Sequence, residues 1–61
     1  MKSSSGDRHE MLLRIKLGDV YARRGRITQA RNQYSRALKI ARSSPELKEY
    51  VKRIKDRYSL V

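Results

Sequence analysis

Apolar residues fall at helical spacing in three stretches of this chain, and turn residues separate the stretches. Asp7 followed by Glu10 has the spacing of a capping box, so a helix is predicted to begin there. It should run over about Arg8 to Arg24, where Gly25 supplies the left-handed residue on which helices often end. Thr28 is the expected N-cap of a second helix, with Ile27 before it as a hydrophobic staple. Alanines at 30, 37 and 41 favour helix to about Arg42. Ser43-Ser44-Pro45-Glu46 then reads as a restart, with a serine to cap, a proline preorganised for the first helical position and an acid at the positive end of the dipole. The third helix is predicted over about Pro45 to Tyr58.

The faces of the three helices differ. In the second, Ile27, Ala30, Tyr34, Ala37, Leu38 and Ala41 share one side, while Arg31, Arg36, Lys39 and Arg42 lie opposite with Asn32 and Ser35. In the third, Leu47, Tyr50, Val51, Ile54 and Tyr58 form a narrow stripe among charges, with Glu49 and Asp56 near Lys52 and Arg53. The first helix has two apolar surfaces, one of Met11, Ile15, Gly18 and Ala22 and another of Leu13, Leu17, Val20 and Tyr21. Two short following helices can cover one of these and part of the other. Apolar area should therefore remain for a second copy, a larger parent or a target to cover.

The run from Leu17-Gly18-Asp19-Val20-Tyr21 through Gly25 and Ala30 to Tyr34, Ala37 and Leu38 resembles a tetratricopeptide repeat. The resemblance covers about half the chain and implies an all-α fold, an antiparallel helical hairpin with a third, capping helix. In that pattern Gly18 and Ala30 are small where the two helices approach most closely. Arg14 stands where the repeat often has a tryptophan, and the usual closing proline is displaced to Pro45. The resemblance also implies a peptide-binding concave surface carrying Leu12, Ile15, Lys16, Asp19, Ala22 and Arg23. The two-carboxylate clamp of some members is not expected, because Ile15 and Asp19 occupy the places of its lysine and asparagine. A second resemblance, to the microtubule interacting and transport domain, rests on the glycine, alanine, tyrosine and alanine-leucine run alone.

Composition narrows the function classes. With 61 residues there is room for one domain and a thin core, expected over residues 7–61 after a disordered leader or cloning remnant at 1–6. Without cysteine and with a single histidine, neither a disulfide nor a structural zinc site can reinforce that core. Help from a partner, or a homodimer, is expected instead. The leader has no apolar block of the kind a secretory signal needs, and no apolar run approaches bilayer length, so a cytoplasmic chain with no membrane insertion is predicted.

The net charge of +10 is concentrated where no acid occurs between Asp19 and Glu46, across Arg23, Arg24, Arg26, Arg31, Arg36, Lys39 and Arg42. Such a field favours anionic partners, and Arg31, Arg36, Lys39 and Arg42 are the candidate anion-binding residues for RNA or an acidic protein. Specific RNA reading is disfavoured because all four tyrosines fall on predicted core stripes. His9 lies beside Asp7 and Glu10 but lacks the further groups that a metal or acid-base site requires. No enzyme, catalytic residue, metal or cofactor is expected. The expected role is a protein interaction module using Leu12, Ile15, Lys16, Asp19 and Arg23; a designed or truncated repeat with no cellular partner is the alternative of a different kind.

Overall fold

The computed structural model describes residues 4–61, with side chains described from residue 6 onward. Three helices follow one another: α1 (Ser4–Arg23), α2 (Ile27–Ser43) and α3 (Lys48–Leu60), the last preceded by a 3-10 turn at Pro45–Leu47. The fold is all-α, a hairpin of α1 and α2 extended by a third helix, with no strand among the described residues. α2 lies in the middle. It packs against α1 on one side and against the 3-10 turn and α3 on the other.

The turn after α1 forms where Gly25 was expected to place it. Gly25 has φ +80°, a conformation that costs a side-chain-bearing residue dearly. Its amide donates to Ala22 O and that of Arg26 to Tyr21 O, at 3.1 and 2.9 Å. These two bonds form a Schellman motif and satisfy carbonyls that the helix end would leave orphaned.

Three expected starts are corrected. α1 begins at Ser4, so residues 4–6 of the expected leader are helical, while residues 1–3 lie outside the described residues. Asp7 sits in the first turn instead of capping it, and there its charge still suits the positive end of the dipole. α2 starts from Arg26, not Thr28, with no side-chain cap, and Ile27 is exposed instead of acting as a staple. The tight turn explains this, because the Schellman bond already orients Arg26, and Arg26 O accepts from Ala30 N at 3.0 Å, two residues before the position at which Thr28 would cap. Ser44 does precede the third element, extended at φ −115° and ψ 119°, as a residue before proline should be. Pro45 opens a 3-10 turn there, not an α-helix.

The core is small and centres on α2. Ala30, Tyr34, Ala37 and Ala41 are buried along it, joined by Met11 of α1, Leu47 of the turn and Ile54 of α3. Alanines at three of the four α2 positions let both neighbours approach closely. Gly18 has the same effect from α1, because a Cβ built there would lie 2.5 Å from Tyr34 Cε1. The glycine is thus the seat of the Tyr34 ring, which lies directly against it. Met11 and Ile54 are the large side chains removed entirely from solvent, each worth about 1.5–3 kcal/mol of burial.

Tyr58 departs from its expected core position and is 36% exposed, with the Arg31 guanidinium 5.3 Å above its ring. It lies near the C-terminal end of α3, where the opening turns of α2 offer an arginine and not an apolar surface. The pairs expected between Glu49 or Asp56 and the basic residues of α3 do not form. Among the described residues the ion pairs are Arg14 to Glu10 and Arg57 to Asp19.

Candidate functional site

α1 is buried along one strip and open along the rest. Met11 and Gly18 face α2, with Ile15, Tyr21 and Ala22 packed beside the core. Arg14 donates to Gln33 of α2 at 3.1 Å and to Glu10 at 3.3 Å, tying the hairpin through polar atoms. Leu12, Leu13 and Val20 remain 43%, 48% and 44% exposed. An isolated exposed leucine is ordinary, but three within nine positions of one helix form a patch that asks for an explanation.

Where the three helices meet, Asp19 holds the chain together. Tyr34 of α2 donates its hydroxyl proton to Asp19 Oδ1, and Arg57 of α3 donates from one guanidinium nitrogen to both carboxylate oxygens, at 2.8 and 2.9 Å. Burial, followed by the hydrogen bond to Asp19 and its negative charge, pushes the Tyr34 hydroxyl up to about 12, against the opposing effect of Arg57. The Arg57 pair is partly open to solvent, so its own contribution is at most about 1 kcal/mol. Its consequence is positional: it ties α3 to the edge of α1, two helices that otherwise barely touch.

Two shallow depressions flank this node. One, of about 440 Å³, is lined by His9, Leu12, Leu13, Ile15, Lys16 and Asp19. The other, of about 520 Å³, is lined by Lys16, Asp19, Val20, Ala22, Arg23 and Arg57. They share Lys16 and Asp19 and so run as one groove along α1. Its first half has an apolar floor and its second a basic wall.

All five residues expected to bind a partner, Leu12, Ile15, Lys16, Asp19 and Arg23, line this groove. Two are not free to act as expected. The Asp19 carboxylate is engaged by Tyr34 and Arg57, and Ile15 is half-buried against the core. Sequence reasoning missed His9, Leu13 and Val20 of α1 as groove residues and, from a different helix, Arg57. The signal available for Arg57 was Asp19 itself, the last acid before a long basic stretch and in need of a cation from a distant segment.

The four expected anion-binding residues do not form one surface. Arg36 and Lys39 border a depression with Glu10, Arg14, Ile40 and Ser43, and Lys39 and Arg42 border the next with Ser35, Leu38 and Ser43. Arg31 is separated from them, stacked on Tyr58 at the α3 side. Helical spacing accounts for the split, since Arg31 and Arg36 are five residues apart and point to different flanks of α2, while Arg42 lies about three turns further along the helix from Arg31.

No helix among the described residues is long and apolar enough to cross a membrane. No family model, curated protein or solved structure matches this chain.

Proposed function

We propose that the chain is a non-enzymatic interaction module of the tetratricopeptide type, which holds a segment of another protein in the groove along α1. The observation that supports this most directly is the continuity of the groove. An apolar floor of Leu12 and Ile15 passes without interruption into a basic wall of Lys16, Arg23 and Arg57. Such a surface suits a segment with an apolar side chain followed by acidic ones, because the apolar contact removes Leu12 from water while the acids meet a field of net charge +10.

The test is a titration of isotope-labelled protein with short acidic peptides containing one leucine, and with the same peptides carrying serine instead. Amide shifts should cluster at Leu12, Lys16 and Arg23, require the leucine, and vanish in Leu12→Glu with helicity retained. Leu12 is the better site for this change than Ile15, which also supports the core. A peptide that moves no groove resonance would end the proposal.

A second reading rests on Arg36, Lys39 and Arg42, which border two adjoining depressions on the outer side of α2. Here a polyanion, RNA or an acidic protein, would bind through charge. Shifts confined to these three residues, independent of the leucine and reproduced by a short single-stranded RNA, would move the function to that face.

A further inference from the structure

On the side of α1 away from Met11 and Gly18 runs a second surface, which shares Leu13 and Val20 with the rim of the groove but is centred on Leu17, outside it. Glu10, Leu13, Leu17, Val20 and Arg24 succeed one another at intervals of three, four, three and four residues. This is the spacing that keeps side chains on one seam of a helix facing another helix. Leu13 and Val20 are about half exposed, and Leu17, partly covered, is absent from the set packed on the core. The three apolar residues are bracketed by opposite charges, Glu10 at one end and Arg24 at the other.

The arrangement is nearly symmetric about Leu17 and specifies its own complement. A second α1 laid antiparallel across the seam, with the two Leu17 side chains near the centre, brings Glu10 of each copy opposite Arg24 of the other. A parallel copy would set Glu10 against Glu10 and Arg24 against Arg24. We infer that this chain self-associates as an antiparallel pair through Leu13, Leu17 and Val20 of α1, with two reciprocal Glu10 to Arg24 contacts fixing its direction.

The seam is short, about 21 Å from Glu10 to Arg24 at the helical rise, and does not reach the area of a standard stable interface. Association is therefore concentration-dependent. It also works against the +10 charge of each copy, but at about 0.15 M salt the screening length is about 8 Å, which suppresses repulsion between remote charges and leaves the close pairs in play.

Sedimentation equilibrium of the full chain at that salt, over a wide concentration range and with helicity recorded on the same samples, tests this. The mass should rise from 7.2 kDa towards twice that value. Leu17→Gln should hold it at the monomer value with helicity unchanged. Glu10→Lys and Arg24→Glu should each weaken association about tenfold, since each turns two attractive contacts into repulsive ones. The double variant Glu10→Lys with Arg24→Glu should restore it to within about twofold of the original.

A chain that stays monomeric throughout overturns the inference, as does a dimer indifferent to Leu17→Gln. A dimer that responds to Leu17→Gln but not to the single charge changes is not antiparallel and overturns the stated geometry. Leu17, Glu10 and Arg24 lie outside the groove of Leu12, Lys16 and Arg23, so peptide binding by the monomeric variant separates failure of this inference from failure of the groove proposal.

Discussion

α1 and α2 are of similar length, 20 and 17 residues, but they stand in opposite relation to the core. α2 presents a row of small residues and one tyrosine, is covered on both flanks, and holds most of what is buried. α1 carries three leucines, an isoleucine and a valine, yet Met11 and Gly18 are its buried residues among those described, and Leu12, Leu13 and Val20 are exposed. Burial in this chain thus tracks position and shape more than hydrophobicity. Alanine and glycine are buried where helices touch. Leucines lie exposed where no neighbour exists, so the apolar residues of α1 beyond the needs of the core indicate surfaces outside it.

The sharpest way to break the contrast is to uncover α2. Ile54→Ala removes the large side chain by which α3 covers its second flank and should cost about 2–5 kcal/mol, seen in urea unfolding as a large fall in midpoint. For a chain of this size that is a large share of total stability. Raising the pH should come next in size. Tyr34 keeps its proton to about 12 in the fold against 10 in the open chain, so over that window the unfolded state holds fewer protons. The stabilisation is complete below pH 10 and is lost as pH rises towards about 12, on the order of 2 kcal/mol. Tyr34→Phe should lose less across the same window, after an initial deficit of about 1 kcal/mol at neutral pH, both measured by circular dichroism.

Gly18→Ala should have a smaller effect. Displacing the Tyr34 ring costs about 1–3 kcal/mol, and the better helix propensity of alanine returns about 1 kcal/mol, leaving a net loss of about 1 kcal/mol in the same unfolding assay. Smallest of all should be Leu13→Ala at dilute concentration, within about 0.5 kcal/mol, because the side chain has little to lose in the single chain. A Leu13→Ala loss comparable to that of Ile54→Ala would erase the distinction between the two helices.

Much of this fold was legible because its punctuation is strong. Gly25 stops α1, and Ser44-Pro45 separates α2 from the third helix, each for a local reason that needs no knowledge of the partner helix. The cap positions were less legible: α1 begins ahead of Asp7, and at α2 the backbone geometry of Arg26 settles the start before Thr28 can cap. The groove residues could be proposed from one helix alone, since they share a side of α1. The node that organises the groove could not, because Tyr34 and Arg57 come from other helices, 15 and 38 residues from Asp19. The contact of Arg31 with Tyr58 was not legible for a related reason: periodicity gives the direction of a side chain from its own axis but does not reveal which residue of another helix waits on that flank.

The central position of α2 bears on how the chain reaches this structure. Its extensive interfaces join helices that are consecutive in sequence, so their formation closes only short loops and costs little entropy. Chains dominated by such local contacts fold on the microsecond to millisecond scale. The Asp19 to Arg57 contact, spanning 38 residues, can close only after α2 has aligned both neighbours. The topology thus favours assembly from the middle outward, with α2 as the template on which α1 and α3 condense and the Asp19 to Arg57 pair closing late.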